Sequence, residues 1–471
     1  MNWEDFRDWA KRAADWAANY HQSIRRLPVR AQVRPGTILK QLPQNPPENG
    51  EEMADIFSDF ENIVLPGITH WQHPRHFAYF PANASPPSVL AERLTAALGT
   101  NAMLWQTSPA ATEMEIRMME WLAQMIGLST DWKGLIQDTA SSATLAAVLC
   151  AREKALNWKG NESGLAGLPV LRFYATEHNH SSVAKAVWLA GIGRENLIDI
   201  PTDDDGAMLP SALAKAVFAD RKAGMLPAGL IAVIGATGTG VWDKLSTLLP
   251  TARQERLFIH VDAAWAGGAL ICPEYRHLID GVEEADSFVF NPHKWLMTNF
   301  DCSAHFVKDP SLLEKTFAAR PEYLQTPGAD NIVNFSEWAA PLGRRFRALK
   351  LWFVIRNYGV EGIRNMIRRH IQWAMATAKM FDDRQDFELT TPPKLSLFTF
   401  RFHPPGLSAD ELEDINARLL AAVNDDGYLY LTQARHEGKY VIRFQVGQMA
   451  STADDIKTAA EKIFEIAQRL R

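Results

Sequence analysis

The N-terminal stretch of the chain has apolar side chains at helical spacing. Aromatic and alanine side chains recur every three or four positions and share one face of a predicted helix: Trp3, Phe6, Ala10, Ala13, Ala17 and Tyr20. Trp9 and Trp16 widen this apolar face. The pattern predicts a helix that packs on its own domain or is buried against a partner subunit. A Pro- and Asn-rich segment at residues 41–50 then predicts a connector.

From about Ser85 onward, helical stretches alternate with short apolar runs. These runs predict strands at residues 169–175, 228–235, 257–262 and 287–290. Strands separated by helices predict a mostly parallel sheet with both faces covered. Sites in such sheets form at the carboxyl ends of the strands, so the polar residues that follow these runs are candidate site residues.

The pattern changes again after roughly Gly359, where helices are followed by strand candidates at residues 396–402 and 439–445. We therefore predict three parts. Residues 1–84 form an N-terminal helical segment, residues 85–360 a large domain, and residues 361–471 a small α+β domain.

Composition and charge exclude several classes of protein. The 49 Lys and Arg residues against 55 Asp and Glu residues give a formal charge of -6, which disfavours nucleic-acid binding. No apolar run has the length of a membrane span, and charged residues occupy the N-terminus where a signal peptide needs an apolar stretch. Cys150, Cys272 and Cys302 are far apart, so neither a disulfide framework nor a zinc cluster is expected. We predict a cytoplasmic protein.

The strongest local signal is Lys294 in the segment Phe-Asn-Pro-His-Lys-Trp at residues 290–295. A lysine attacks an aldehyde carbonyl only as the neutral amine, and burial disfavours its charge. Most lysines are solvated surface charges. Lys294 stands among Phe, Pro and Trp directly after a strand, which favours a Schiff-base lysine.

Asp262 ends the predicted strand at residues 257–262. A buried carboxylate needs a cationic partner, and a protonated pyridine nitrogen is such a partner. A structural Asp that caps a turn is an equally good explanation of this residue alone. Together with the lysine segment, the cofactor interpretation is the better one.

Two further segments follow strands or precede helices. The hydroxyl-rich residues 138–144 precede a predicted helix, where they either cap free backbone N–H groups or help to bind a phosphate. In the segment at residues 177–182, one histidine can stack on a planar ring. His178 and His180 could also suggest a metal, but no matching Cys or carboxylate spacing supports one, and we predict no metal site.

Together these segments resemble the group II decarboxylases that depend on pyridoxal 5'-phosphate (PLP), and among them the aromatic L-amino-acid decarboxylases of the bacterial DOPA/tryptophan type. The resemblance covers nearly the whole chain. Its further motifs are HWQHP at 70–74, AYFP at 78–81, SPAATE at 108–113, NFDCSA at 299–304 and PLGRRFRALKLW at 341–352.

The resemblance implies a fold and an assembly. The fold is PLP fold type I, the aspartate-aminotransferase type, an α/β fold with a mostly parallel seven-stranded sheet flanked by helices and a small C-terminal domain. The assembly is a homodimer whose N-terminal helices wrap around the partner and whose active sites lie at the subunit interface. The implied substrate is a small aromatic amino acid, with neither nucleic acid nor membrane as a partner.

The resemblance also assigns roles to residues. Lys294 carries the Schiff base, Asp262 pairs with the pyridine nitrogen, and His180 stacks on the cofactor ring and assists proton movement. The phosphate cradle and its surroundings are formed by Thr139, Ala140, Ser141, Asn291 and His293. Thr237 is a further cofactor candidate, although its segment, Gly-Ala-Thr-Gly-Thr-Gly at 235–240, departs from the Gly-Thr-Thr pattern usual in the family.

The resemblance further indicates a substrate pocket. Its candidate residues are Trp71, Tyr79, Phe80, Pro81, Ala82, Asn101, Met103 and Gly343. Ala82 replaces the hydroxyl residue usual in animal members, and Asn101 and Met103 stand where those members carry larger apolar residues. We hypothesise that Asn101 bonds to a ring hydroxyl or an indole N–H. Gly343 leaves room for bulky rings, which favours indole or catechol substrates.

Three alternatives stay open. The first is an aromatic acetaldehyde synthase of the same family. The second is an aminotransferase or lyase of the same fold, which would need a keto acid and would retain the carboxylate. The third is a protein that binds the cofactor without turnover.

Tyr323 generates the first testable prediction. It lies in a Pro- and Gly-containing segment that predicts a mobile loop able to deliver an acid to the site. In the family, Tyr here accompanies amine formation and Phe accompanies oxidation to aldehyde. Tyr323→Phe is therefore expected to divert product from amine to aldehyde, measured by mass spectrometry in air. An unchanged amine yield would contradict this role.

Overall fold

The structure, a computed structural model, describes residues 1–319 and 332–470. The α-helices are α1 (Trp3–Ser23), α2 (Thr37–Gln41), α3 (Met53–Asp59), α4 (Pro86–Leu98), α5 (Pro109–Ile126), α6 (Ala140–Ala155), α7 (Lys159–Ser163), α8 (Ser181–Leu189), α9 (Pro210–Lys222), α10 (Leu245–Gln254), α11 (Pro292–Trp295), α12 (Ser311–Phe317), α13 (Ala348–Asp382), α14 (Ala409–Asp426) and α15 (Ala453–Gln468). The strands are β1 (Lys133–Gln137), β2 (Leu171–Ala175), β3 (Leu197–Asp199), β4 (Leu226–Val233), β5 (Phe258–Asp262), β6 (Ser287–Phe290), β7 (Ser303–Val307), β8 (Phe387–Lys394), β9 (Leu397–Phe402), β10 (Thr432–His436) and β11 (Lys439–Gln445).

The chain divides into two compact units. The large unit comprises residues 82–371, and the small unit comprises residues 1–81 together with residues 372–471. The predicted N-terminal segment and the predicted small domain are thus parts of one unit. The division at residue 372 falls within α13, beyond the break in that helix at Gly359, where φ is 66°. The predicted boundary after residue 360 rested on Gly359, which lies before the observed division at residue 372.

The seven strands of the large unit form one sheet in the order β1-β7-β6-β5-β4-β2-β3. Strands β2 to β6 are parallel to one another, whereas β7 is antiparallel to both β6 and β1. Because β1 therefore runs in the same direction as β6, the carboxyl ends of every strand except β7 lie along one edge. The predicted fold class, fold type I with a mostly parallel seven-stranded sheet, is confirmed.

The central strands are apolar because both faces of the sheet are covered. Strands β4, β5 and β6 are buried along almost their whole length. Helices α6 and α8 contribute Val148 and Val187 to one cluster with Leu135, Phe173 and Ile231 of the strands. Burial of each large apolar side chain contributes about 1.5–3 kcal/mol. The site residues at the strand ends therefore rest on a rigid support.

The four strands predicted for this sheet correspond to β2, β4, β5 and β6, with bounds that differ by at most two residues. Strands β1, β3 and β7 were not predicted. Strand β1 begins with Lys and Gly, and β3 has only three residues, so neither has a clear apolar pattern.

The small unit is built around a four-stranded antiparallel sheet in the order β10-β11-β9-β8. The two strands predicted for this part correspond to β9 and β11. Its core is rich in phenylalanine: the ring centroids of Phe381 and Phe400 are 4.3 Å apart, and those of Phe398 and Phe444 are 5.2 Å apart. Capping boxes at Ser408 and Thr452 begin α14 and α15.

The predicted N-terminal helix is α1, which begins with a capping box formed by Asn2 and Asp5. No residue of α1 is buried, although Trp16 lies against Phe60 with ring centroids 4.9 Å apart. Trp3 remains 79% exposed. Part of the apolar face thus packs within the small unit, and packing of the helix on a partner subunit stays a prediction.

In the described parts of the sequence, no helix is long and apolar enough to cross a bilayer.

The three cysteines, Cys150, Cys272 and Cys302, are all buried as free thiols. Burial raises the pKa of Cys150 and of Cys302 to about 12 and that of Cys272 to about 11.

Candidate active site

The predicted site segments follow strands whose carboxyl ends share one edge of the large sheet. Residues 138–142 follow β1, His180 follows β2, and Thr237 follows β4. Asp262 is the last residue of β5, and Lys294 lies in the helix that follows β6. The topology therefore brings together segments that are more than 150 residues apart in the sequence.

Lys294 lies in α11, a helix of four residues that Asn291 precedes. Asn291 is buried, and its Oδ1 accepts a hydrogen bond from Ser303 Oγ at 2.6 Å, while its backbone N–H donates to Ala264 O at 2.9 Å. Lys294 N–H then donates to Asn291 O at 2.9 Å. Strand β7 and the residues just after β5 thus fix the turn that carries the lysine.

His293 is held beside the lysine as a neutral imidazole. Its Nδ1 accepts a hydrogen bond from Cys302 N–H at 2.9 Å, so the ring proton resides on Nε2. Burial lowers the pKa of His293 to about 3, and the positive charge of Lys294 acts in the same direction. A neutral ring at this position adds no positive charge next to the Lys294 amine.

Asp262 is buried at the end of the central strand β5, with 4% of its surface exposed. Its Oδ1 accepts a hydrogen bond from Ala264 N–H at 3.0 Å, and its backbone carbonyl accepts one from Ile234 N–H at 2.8 Å. The side chain is therefore fixed in orientation. A carboxylate buried to this extent is stabilised by a nearby positive charge.

His180 occupies the N-cap position of α8 and is partly exposed to solvent. Its Nδ1 accepts from Ser182 N–H at 3.2 Å and lies 2.8 Å from Ser182 Oγ, which fixes the ring and leaves its proton on Nε2. Desolvation lowers the pKa of His180, the Asp262 carboxylate opposes this effect, and Lys294 adds to it. These mutual effects indicate that the three predicted key residues share one electrostatic environment.

The predicted phosphate cradle is the start of α6. Thr139 is the N-cap, and its Oγ1 accepts from Ser142 N–H at 3.4 Å. The first intrahelical bond runs from Ala143 N–H to Thr139 O at 3.2 Å, so the N–H groups of Ala140 and Ser141 precede it. Ser141 is exposed. A helix of 16 residues with donors at its N-terminus can bind an anion.

Thr237 lies in a tight loop after β4. The N–H groups of Gly235 and Ala236 both donate to Val241 O, at 3.1 and 2.7 Å, and Gly240 N–H donates to Ala236 O at 2.8 Å. Thr237 is half-buried in this loop. The altered sequence thus forms a well-ordered turn at the same edge of the sheet, and the contact of Thr237 with a cofactor stays a prediction.

A buried hydrogen-bonded chain next to Asp262 was missed in the sequence. His260 Nε2 lies 3.4 Å from Thr144 Oγ1, and His260 Nδ1 lies 2.9 Å from Ser287 Oγ, which in turn lies 2.9 Å from His305 Nε2. Burial lowers the pKa of both histidines to about 3. They therefore remain neutral and do not compensate the charge of Asp262. The signal available was His260, which stands two residues before Asp262 in a buried strand.

Three predicted pocket residues of the large unit lie close together. Asn101 Oδ1 accepts a hydrogen bond from Arg344 N–H at 3.0 Å, and Asn101 Nδ2 donates to Met103 Sδ at 3.5 Å. A Cβ added to Gly343 would lie 3.8 Å from Asn101 Nδ2. The Arg344 side chain is buried, pairs with Glu115 and donates to Ile136 O at 3.1 Å. This ion pair, also missed in the sequence, anchors the backbone next to Gly343.

The predicted pocket residues of the small unit have two different environments. Trp71 and Tyr79 are exposed and stack on each other, with ring centroids 5.6 Å apart and an angle of 18° between the rings. The Tyr79 hydroxyl lies 3.4 Å from that of Tyr430. Phe80 and Pro81 are buried, and Phe80 fills the space above Gly447, whose added Cβ would lie 2.8 Å from the ring. Phe80 thus has the surroundings of a core residue.

Two predicted residues remain. Ala82 is half-buried at the start of the large unit. Tyr323 lies outside the described residues, so its role as proton donor stays a prediction.

Comparisons with known proteins identify the family of the chain. The model of the pyridoxal-dependent decarboxylase conserved domain matches residues 35–403. The chain is 40% identical to tyrosine decarboxylase 2 of Narcissus pseudonarcissus over 99% of its own length and 94% of the relative. It is 38% identical to a phenylacetaldehyde synthase of Arabidopsis thaliana over 100% of its own length and 97% of the relative.

A solved structure agrees over the same length. The Oryza sativa TDC crystallised with PLP and tryptamine has a TM-score of 0.96 and 33% identity, with 100% of this chain and 99% of that chain covered.

The chain belongs to the pyridoxal-dependent decarboxylases. The prediction of a PLP enzyme of the aromatic amino-acid decarboxylase family, a carboxy-lyase, is confirmed.

The residues present fit the cofactor of this family. PLP needs a lysine for its aldehyde, a carboxylate for its pyridine nitrogen and N–H donors for its phosphate. This decarboxylase has Lys294 in a fixed turn, the buried Asp262 carboxylate, and the start of α6. All three stand at the edge of the sheet where the fold places ligands.

The environment of Asn101 generates a prediction about substrate choice. Because Arg344 N–H occupies Oδ1, the amide orientation is fixed, and Nδ2 is left with a weak sulfur acceptor. A ring hydroxyl would be a better acceptor. Asn101→Leu is expected to lower kcat/KM about tenfold for tyrosine or DOPA, the effect of one neutral hydrogen bond, and less for phenylalanine.

Asn101→Asp is the comparison variant: it keeps an acceptor for Arg344 N–H, but it replaces the donor with a second acceptor and adds a negative charge. Steady-state kinetics on the three amino acids measures both variants. Equal losses on hydroxylated and plain rings would contradict the role of Asn101.

Proposed function

We propose that this chain decarboxylates aromatic L-amino acids, namely DOPA, 5-hydroxytryptophan, tryptophan, tyrosine or phenylalanine, to the corresponding amine and CO2 at Lys294. The observation that carries the proposal is the shared environment of Lys294, Asp262 and His180 at the carboxyl edge of the sheet. The names of the relatives support the substrate class, since they include a tyrosine decarboxylase and a TDC crystallised with tryptamine.

Each of these residues has a task that follows from its surroundings. When bound, PLP supplies an electron-withdrawing ring that stabilises the negative charge left on the substrate α-carbon as CO2 departs. Asp262, fixed by Ala264 N–H, would hold the proton of the pyridine nitrogen. His180, fixed by Ser182, would stack on the cofactor ring. The N–H groups of Ala140 and Ser141 would bind the phosphate.

The pocket residues set the position of the substrate. Within the small unit, the stacked rings of Trp71 and Tyr79 suit contact with a flat aromatic side chain. Within the large unit, Gly343 leaves room next to Asn101. Asn101 donates to a ring hydroxyl. Tyr323 returns the proton to the α-carbon, which completes the amine.

One relative favours a second candidate function. The Arabidopsis thaliana protein with 38% identity is named a phenylacetaldehyde synthase, so aldehyde formation belongs to the activities found among proteins this similar. Tyr323 supports amine formation for the present chain, because the family carries Phe at that position where aldehyde is made.

The proposal also includes assembly and location: the chain forms a homodimer in the cytoplasm. Leu90, Leu94 and Leu98 recur every four residues on α4 and are 55%, 44% and 62% exposed. A continuous apolar stripe on a helix is typical of a surface that is covered by another chain.

The buried thiols with raised pKa values suit a reducing compartment.

The proposed function is tested by product analysis. The PLP-loaded protein is offered the five amino acids together in air, and amines, aldehydes and peroxide are quantified by mass spectrometry. Amines support the proposal, and their ranking identifies the preferred substrate. Aldehydes with peroxide would favour the synthase, and a keto-acid requirement would favour an aminotransferase.

The role of Lys294 is tested by covalent trapping. Borohydride reduction of the loaded protein is expected to fix the cofactor on Lys294, as seen by peptide mass mapping. Lys294→Ala should abolish the adduct and reduce turnover by several orders of magnitude. Lys215→Ala, which removes an exposed lysine on α9, is the matched control and should retain both the trapped adduct and the turnover. An adduct that persists in Lys294→Ala would refute the assignment.

The dimer is tested on the leucine stripe. Leu94→Glu places a charge at its centre and is expected to convert the dimer to a monomer, measured by size-exclusion chromatography with light scattering. Phe218→Glu is the control, because Phe218 is 71% exposed on α9, outside the stripe. A dimeric Leu94→Glu variant would show that α4 is not the interface.

A further inference from the structure

Helix α11, which carries Lys294, is too short to provide hydrogen-bond donors for all of its own backbone carbonyl groups. Helix α11 has four residues, and one turn is closed when Leu296 N–H donates to Pro292 O at 3.1 Å. The carbonyl groups of His293 and Lys294 lie at the end of this helix, where no further turn supplies N–H donors. Backbone carbonyl groups in a protein interior need partners, so these two depend on donors from another segment.

Asn83 supplies both donors. Its backbone N–H donates to His293 O at 3.3 Å, and its side-chain Nδ2 donates to Lys294 O at 2.7 Å. Asn83 is fully buried, with 0% exposure, so water does not compete for these bonds. One residue therefore binds the backbone at the lysine itself and at the residue before it.

The residues after Asn83 extend this contact along the lysine segment. Ser85 N–H donates to Met297 O at 3.3 Å, and Ser88 Oγ accepts from Asn299 N–H at 2.7 Å. Glu92 Oε2 accepts from Asn299 Nδ2 at 3.0 Å. Residues 83–92 thus contact residues 293–299 along the whole segment, and Asn83 bonds to Lys294 itself.

We propose that Asn83 is a positioning residue for Lys294: its carboxamide fixes the backbone of the lysine so that the amine meets the cofactor aldehyde in one geometry. The proposal rests on the proposed role of Lys294. Asparagine suits the task because it has a short amide donor. Aspartate has nearly the same size, but as a carboxylate it has no donor and adds a negative charge, and alanine removes the side-chain donor to the Lys294 carbonyl.

A lysine on a loosened backbone should bind the cofactor and turn over less well. A misplacement of about 1 Å at a reacting group costs roughly a hundredfold in rate. Because Asn83 is fully buried and bonds to the backbone of His293 and Lys294, the loss should fall on kcat and on cofactor attachment, with the relative preference among amino acids unchanged.

The experiment compares Asn83→Ala and Asn83→Asp with the wild-type chain and with Asn416→Ala. Asn416 is also fully buried, and its Nδ2 donates to Phe402 O at 2.8 Å. Asn416→Ala therefore removes the same kind of hydrogen bond, from a residue that is distant from Lys294 in the sequence and belongs to the small unit. The readouts are the rate at which apoprotein recombines with PLP, the pH midpoint of the absorbance of the lysine-bound cofactor, kcat, KM and the melting temperature of the apoprotein.

Both Asn83 variants are expected to recombine with PLP at least about tenfold more slowly, to shift the pH midpoint, and to lose tenfold to a hundredfold in kcat. Asn416→Ala should lower the melting temperature and leave the cofactor readouts at their wild-type values. If Asn83→Ala does not fold, Asn83→Asp is tested by the recombination rate and by kcat alone, because its negative charge close to the lysine would shift the pH midpoint by itself.

Two outcomes would overturn the inference, and they are distinguishable. The first outcome is that folded Asn83 variants recombine with PLP at the wild-type rate and keep the wild-type pH midpoint, while the trapped adduct is on Lys294. This outcome would refute the role of Asn83 alone. An adduct on another lysine of the wild-type chain would refute the proposed role of Lys294 and the inference together.

Discussion

The active-site arrangement depends on a carboxylate that the fold buries at the end of its central strand. Asp262 is surrounded by covered strands, and burial makes its negative charge costly unless a positive charge is near. The adjacent chain of His260, Ser287 and His305 does not supply that charge, because both imidazoles are held neutral. Positive charge can reach this carboxylate from the edge of the sheet, where Lys294 lies and where a protonated pyridine ring would be bound.

The sheet assembles this edge from segments with different kinds of support. The phosphate donors come from the start of a 16-residue helix, whereas the lysine is carried by a helix of four residues that depends on hydrogen bonds from neighbouring strands and from residues 83–92. The first is a property of local sequence. The second is tertiary, and so the orientation of the lysine depends on the packing of the whole large unit.

The sequence predicted what depends on local pattern and on family motifs. The four central strands, Lys294 and Asp262 stand out because apolar runs end in polar residues. Strand β3 is too short to carry a pattern, and Arg344 resembles an ordinary surface charge until its burial beside Glu115 is known. The partnership of Asn83 with Lys294 spans 211 residues and has no local signature.

The buried thiols have a practical consequence for spectroscopy. Thiol reagents attack the exposed thiolate, and each of the three cysteines of this chain is both covered and held protonated at neutral pH. A cysteine introduced at an exposed position, such as that of Phe218, would react with a maleimide or a nitroxide label in a background of inert native cysteines. The chain is thus ready for fluorescence and spin-label studies without prior removal of its own cysteines.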